Sequence, residues 1–336
     1  MKISSTIIRI TLPAILLCLT VPIAIGSPDK ERVLYDHHAH ILSPDLVRDW
    51  KSLGVPFSRP DEFYSALPPD LSAGRVKRAF ALSMAYLYGS RWFGELKLSP
   101  EKELEAVRRE NDFVAGVLKA EPKKLVGFCS ANPSRDYALE EFKRCTKLPG
   151  MRGVKLHLLN SGVNTGDKEH LSRLRSVLAW AEEERVPMMI HLNAYDPAGA
   201  SEMALAFAKE LAAVPKLEVY IAHLGGSGGY SDRGRKILRA FFERIKEDEK
   251  LAAMDLKFEI SAVVLTEVSE EVEPPTNEQL KLLAGDLREV GLDRVVFGTD
   301  HPSFSAEAYR KTLREKLPLK PEEIDRIFAN RGRAMK

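Results

Sequence analysis

The sequence predicts an α/β protein folded as a (β/α)8 barrel, the TIM-barrel class, on three observations. Eight short apolar runs alternate with helical patterns along the chain. The runs are continuously apolar, as parallel strands covered on both faces must be. Finally, seven of the eight histidines stand at or just past the ends of five of these runs. A closed barrel would gather those ends on its carboxyl-terminal rim, where the loops of such barrels build active sites. An open doubly wound sheet is the competing arrangement, but no glycine-rich phosphate-binding fingerprint follows the first strand.

Residues Met1 to Gly26 stand apart from this rhythm. Lys2 and Arg9 flank the start, an apolar run broken by Pro13 and Pro22 follows, and Ala24-Ile25-Gly26 supplies small residues for a signal peptidase. The stretch reads as a secretory signal peptide cleaved after Gly26, so the expected product is periplasmic or secreted and residues 27–336 form a single barrel domain. An uncleaved membrane anchor is the alternative, disfavoured because the run is short. Removing the segment takes away two positive charges and leaves 48 basic against 48 acidic residues. No basic stripe then argues for nucleic acid, and no stable membrane insertion is expected after cleavage. Cys129 and Cys145 are the cysteines left, and export allows a bridge between them without requiring it. No repeat, heptad or large exposed apolar pattern points to a macromolecular partner, and the oligomeric state is not legible.

In order, Val33 to His40 is strand one, and Ser43-Pro44 caps a short helix. A proline-rich excursion runs to about Asp70. Val76 to Tyr86 is strand two, continued by an aromatic, glycine-bearing stretch through Arg91 and Trp92. Ser99-Pro100 opens a long helix that ends before Pro122. Strands three to eight read as Leu125–Ala131, Gly153–Leu159, Val186–Leu192, Leu217–Leu224, Leu256–Leu265 and Val295–Asp300. Their helices read as Ser134–Cys145, one capped by Asp167, one from Ser201, Arg235–Lys246, Thr276–Val290 and Pro321–Arg331.

The chemistry is concentrated at the strand ends. Alternate strand residues share a face, so His38 and His40 can point the same way, with Asp36 one step below. Two neutral imidazoles so held are a ready pair of ligands for zinc and its neighbours. Asp300, at the end of strand eight, faces the same space because strands eight and one adjoin in a closed barrel. Lys155 and His157 share a face of strand four. Lys155 could salt-bridge Asp36 or Glu259, polarise a substrate carbonyl, or carry a carboxylate that bridges two metals. His157 could touch substrate or support a ligand from behind.

Together these residues resemble the successive motifs of the amidohydrolase superfamily: Asp36-His37-His38-Ala39-His40, Gly153-Val154-Lys155-Leu156-His157, Ile190-His191, Ala222-His223-Leu224-Gly225-Gly226 and Phe297-Gly298-Thr299-Asp300-His301-Pro302. They are most similar to its amidohydrolase-related branch, which includes aminocarboxymuconate-semialdehyde decarboxylase-like proteins. Asn111-Asp112-Phe113-Val114 and Ile327-Phe328-Ala329-Asn330 agree. The resemblance implies that His38, His40, His191 and Asp300 ligate a divalent metal ion, with zinc expected, and that His223 is a second ligand or the catalytic acid/base. Lys155 resembles the bridging lysine of two-metal members, so one ion is expected and a second is left open.

The activity so implied is hydrolysis of an amide, ester or lactone bond of a small molecule. Zinc lowers the pKa of its water to about 7, and His223 or Asp300 would move the proton. Non-oxidative decarboxylation of a small carboxylated substrate is the alternative. It needs a cation beside the substrate carboxylate, and Arg91 is the one candidate named by position. A barrel that binds a metal or ligand without turnover is the third reading, opposed by the full rim set.

Overall fold

The computed structural model describes residues 34–54, 67–192, 198–268 and 272–336. The predicted signal peptide and most of the proline-rich excursion fall outside the described residues. Eight parallel strands run in the order of the chain: β1 (Leu34–His40), β2 (Val76–Leu82), β3 (Leu125–Ser130), β4 (Met151–His157), β5 (Met188–His191), β6 (Glu218–Ile221), β7 (Asp255–Glu259) and β8 (Val295–Val296). The seam is closed by His37 N donating to Phe297 O at 2.9 Å and His40 N donating to His301 O at 2.9 Å. An isolated parallel bridge joins Ala39 to His301. The arrangement is the predicted (β/α)8 barrel.

The helices begin where local chemistry dictates. Ser43, ahead of Pro44, accepts from Leu46 N and opens α1 (Pro44–Ser52). After α2 (Leu67–Ala73), Ser99 and Pro100 repeat the device for α3 (Pro100–Leu118). Then follow α4 (Ala138–Cys145) and α5 (Lys168–Glu183), the latter with Asp167 accepting from Glu169 N and His170 N. Helices α6 (Ala200–Ala212), α7 (Asp232–Glu247) and α8 (Glu249–Ala253) precede α9 (Asn277–Val290), where Thr276 and Gln279 form a capping box. The last two are α10 (Ala306–Lys316) and α11 (Pro321–Ala329). No helix among the described residues is long and apolar enough to cross a membrane.

Two apolar cores result. A large one fills the space between sheet and helices. A smaller one plugs the barrel with Tyr35, Phe80, Val126, Phe128, Met189 and Tyr220 among others, and the rings of Phe80 and Phe128 lie 4.4 Å apart. This plug floors the rim site. Asn111 of α3 pins that helix to β3, donating to Ser130 O and accepting from Ser130 N, each at 3.0 Å. Asn330 likewise ties the end of α11 to β8 by donating to Leu292 O and Val295 O at 2.7 Å each. Cys129 and Cys145 are bonded, joining β3 to the end of α4.

Several expectations are corrected: strand seven ends at Glu259 instead of Leu265, strand eight ends at Val296 instead of Asp300, and α2 begins within the stretch expected to be irregular. Strand two ends at Leu82, and its expected last residues enter a 3-10 turn at Ala85–Gly89. Strand six ends at Ile221, so His223 stands in a 3-10 turn beyond it. Helix α10 has no counterpart among the expected elements, because its buried face is carried by only Ala306, Tyr309 and Leu313 in a highly charged stretch.

Candidate active site and metal centre

Strand β1 delivers two of the histidines only because its register shifts. Asp36 pairs with Ala79 and Ala39 with Ala81, so three residues of β1 span what two span on β2. This irregularity breaks the period of two. His37 therefore turns into the plug, with its ring 5.1 Å from Phe80 and 5.5 Å from Tyr220, while His38 and His40 face the rim. Asp36 is not a member of their set: its carboxylate accepts from His38 N at 2.9 Å and from Thr299 Oγ1 at 2.7 Å, tying β1 to β8. Burial raises the Asp36 carboxyl to about 7 against the pull of those bonds.

At the rim His38 Nε2 and His40 Nε2 lie 3.2 Å apart. Asp300 Oδ1 sits 3.4 Å from the first and 3.3 Å from the second. The His38 Nδ1 side is occupied, 2.9 Å from Glu259 Oε2, with both side chains fully buried. That bond gives His38 an Nδ1 proton and leaves an electron pair on Nε2, aimed at His40 and Asp300. Burial, reinforced by the charges of Lys155 and the neighbouring histidines, holds His38 well below the usual imidazole range. Burial would raise Asp300, but the His40 hydrogen bond and the His223, His40 and Lys155 charges hold it well below the usual carboxylate range. Electron pairs converging this closely fit a cation among them, and the donor set of imidazole nitrogen and carboxylate oxygen suits zinc or manganese.

His191 stands beside this trio. It is not among the groups whose ligand atoms all lie within 4.8 Å of one another, which among the described residues are His38/His40/Asp300 and His38/His223/Glu259. Its ring stacks on His157 at 3.9 Å and meets His223 edge-on at 4.9 Å, and the His223 ring is 4.7 Å from that of His38. His191 Nε2 and His40 Nδ1 are buried without a hydrogen-bond partner among the described residues. A buried nitrogen left so at the edge of the trio is consistent with a further ligand.

His223 takes a left-handed backbone conformation, φ 50°, as does Asp300, φ 55°. Non-glycine residues held there are strained, and such strain gathers at functional sites. His223 Nδ1 is 3.0 Å from the Ser261 carbonyl and donates to it, which leaves Nε2 as the basic nitrogen. Ser261 Oγ in turn donates to Glu259 Oε2 at 2.9 Å. Burial lifts the Glu259 carboxyl to about 7, countered by His223 and the Ser261 bonds.

Lys155, 1% exposed, forms no ion pair with Asp36 or Glu259; Nζ instead lies 3.4 Å from His38 Nε2. Burial lowers its ammonium to about 8, countered by the charges of Asp300 and Glu259. His157 Nδ1 accepts from Asn160 N at 3.2 Å, so its proton is on Nε2. Arg91 is exposed and lines a surface cavity of about 380 Å3 with Trp50, Leu53, Trp92 and Glu95, none of them a site residue. His301 sits 3.7 Å from Asp70 through Nδ1 and His170 lies on α5, so neither joins the cluster. From sequence, Glu259 stands only as a partner for Lys155, and Ser261 and Thr299 give no signal. A carboxylate inside the apolar run Leu256–Leu265 is the clue that points to the first.

Fold and site thus define a parallel barrel with a histidine–aspartate centre at its carboxyl-terminal rim. The chain belongs to the amidohydrolase family, whose model matches residues 35–330. No curated protein matches the chain by sequence. Among solved structures, 5-carboxyvanillate decarboxylase from Sphingomonas paucimobilis is similar with a TM-score of 0.60 at 12% identity, covering 88% of this chain and 96% of that one. Dihydroxybenzoic acid decarboxylase from a Polaromonas species, solved with manganese and 2-nitroresorcinol, gives a TM-score of 0.60 at 15% identity, covering 88% and 94%. The 4-oxalomesaconate hydratase of Rhodopseudomonas palustris gives 0.54 at 16% identity, covering 88% and 93%. At such identities the likeness is one of fold.

Proposed function

We propose that the chain is a divalent-metal-dependent enzyme that decarboxylates a small carboxylated substrate without an oxidant. The observation that carries the reading is Lys155: a buried ammonium 3.4 Å from His38 Nε2, inside the rim cluster. Decarboxylation needs a cation beside the leaving carboxylate, and Arg91, which the sequence offered, lies elsewhere. The two decarboxylases of like fold lend support without deciding the chemistry.

His38, His40 and Asp300 would hold the ion, with His191 completing the set. A divalent ion there supplies Lewis acidity, fixing substrate oxygens and drawing electron density from the bond that breaks. Zinc remains the expected ion; manganese is bound by the Polaromonas enzyme. Lys155 neutralises the substrate carboxylate. As the bond to carbon dioxide breaks, its electron pair stays on the substrate carbon, and His223 Nε2 delivers the proton that replaces it. The Nδ1–H bond to Ser261 keeps that imidazole in the tautomer able to take the proton back from water. His157 offers Nε2–H to a substrate oxygen.

A second reading is hydrolysis of an amide, ester or lactone, and one observation favours it. Asp300 Oδ1 lies 3.4 Å from His38 Nε2 and 3.3 Å from His40 Nε2, so a water on an ion held there would lie beside this carboxylate, as metal-assisted hydrolysis requires. Measuring carbon dioxide release on a panel of hydroxybenzoates and unsaturated dicarboxylates, beside acid release on lactones and N-acyl compounds, separates the two. Carbon dioxide without net acid release supports decarboxylation; acid from lactones with no carbon dioxide from any carboxylate overturns it. The Cys129–Cys145 bond supports an exported, oxidising location. Fractionation of the native cell tests that reading.

A further inference from the structure

Residues 27–336 carry no net charge, yet the fold segregates their charge. At the end of the barrel opposite the histidines, a cavity of about 1260 Å3 is lined by eight basic residues and three acidic ones. The strand starts of β4, β5 and β6 border it. Two of the cations are engaged: Lys143 with Glu140, and Arg333 with Glu218 and Asp255. Among the described residues, Arg78, Lys147, Arg152, Arg185, Lys216 and Lys336 meet no carboxylate within ion-pair distance. Of the three carboxylates, Glu218 already accepts from the Tyr220 hydroxyl and the Ala334 amide.

Two further observations point to a ligand. Arg78 Nε is buried without a hydrogen-bond acceptor among the described residues, although the same guanidinium donates to Met335 O at 3.1 Å. Arg185 adopts φ 57° directly after α5, the helix-ending conformation that glycine takes freely and an L side chain takes at a penalty. A glycine there would end the helix more easily, and the arginine adds one more cation to the cavity. Like charges gathered in excess of their counter-charges repel one another, and an anion among them relieves that repulsion.

We propose that this cavity binds a compact multivalent oxyanion, a small molecule bearing several phosphate or sulfate esters. The cations line a cavity rather than a stripe, which fits a compact ligand better than a polymer. Attraction of this kind is screened by salt, so affinity should fall as sodium chloride rises.

The test is calorimetric titration of the chain from residue 27 to its end with sucrose octasulfate and, separately, inositol hexakisphosphate, at physiological ionic strength. The variant is Lys147→Ala/Arg152→Ala/Arg185→Gly, three exposed positions away from the histidine centre. Binding of either compound, weakened tenfold or more in the variant, is the expected result, and the tighter compound names the ester. The free variant should melt no lower than wild type, which separates lost binding from lost folding. No binding of either compound, undiminished binding by the variant, or loss of binding in His38→Ala overturns the proposal.

Discussion

His38 Nδ1 and Glu259 Oε2 meet at 2.9 Å across 221 residues of chain, both with no exposed side-chain surface. The contact orients the imidazole at the centre of the site, and it is possible only because residue 298 is glycine. A Cβ there would stand 2.3 Å from Glu259 Oε1 and 2.9 Å from His38 Cβ. Gly298→Ala must therefore push the pair apart. Loss of such a supporting carboxylate typically weakens metal affinity about 10- to 100-fold. Both Gly298→Ala and Glu259→Gln should show a drop of that size in chelator competition, with wild-type circular dichroism. Unchanged affinity in both would mean that Glu259 does not orient His38.

Ligand and proton carrier should separate by mutation. His38→Ala or Asp300→Asn removes electron pairs from the converging trio, so metal and activity should be lost together. His223 bonds outward to Ser261, and His223→Asn should keep most of the metal while turnover falls by about 10²- to 10⁴-fold. Metal content by mass spectrometry and turnover on the same samples provide the check. Full metal in His38→Ala would contradict the assignment.

Most of the barrel could be read from the chain because each strand is a run of apolar residues and several of the helices open with a strong cap, although α4 and α6 begin at Tyr137 and Gly199 without one. Ser43-Pro44, Ser99-Pro100, Asp167 and Thr276 all cap where expected. What failed was information held between elements. The register shift in β1 is a property of its pairing with β2, so alternation wrongly put Asp36 with His38 and did not separate His37. Helix α2 starts inside the proline-rich excursion expected to run to about Asp70, because proline is tolerated in a first turn. The rim cluster was legible as a list of histidines, but not that His38 leans on Glu259, or that Lys155 faces His38 instead of a carboxylate. The basic cavity was invisible to net charge, because its cations come from β2, the approaches to β4, β5 and β6, and the last residue.

Lys155 distinguishes one ion from two. As a free ammonium near His38 it binds substrate, and Lys155→Met should keep the metal count while abolishing carbon dioxide release. As a carboxylated bridge it would hold a second ion, and the same variant should lose one equivalent. Metal per chain in wild type and variant, measured after preparation with and without bicarbonate, decides between them. The proposed decarboxylation requires the first outcome.

Away from the site, Glu110 of α3 makes stability depend on pH. It is 1% exposed, one oxygen accepts from Ser43 N at 3.0 Å, and the other is buried without a partner among the described residues. Burial, with a small push from Asp45, raises its carboxyl from 4.5 to about 7. Between those two values the folded chain keeps a proton that the unfolded chain has released, so this group's contribution declines as pH rises through the window. It is fully present below about 4.5 and lost above about 7. Glu110→Gln mimics the protonated form at every pH. The variant should match wild type near pH 4.5 and exceed it at pH 8 by about 3–3.5 kcal/mol, because each tenfold gain in proton affinity on folding is worth roughly 1.4 kcal/mol and the rise from 4.5 to about 7 spans two and a half such steps. Urea midpoints of both proteins at the two pH values measure this, and an equal difference at both would show that Glu110 is ionised in the fold throughout.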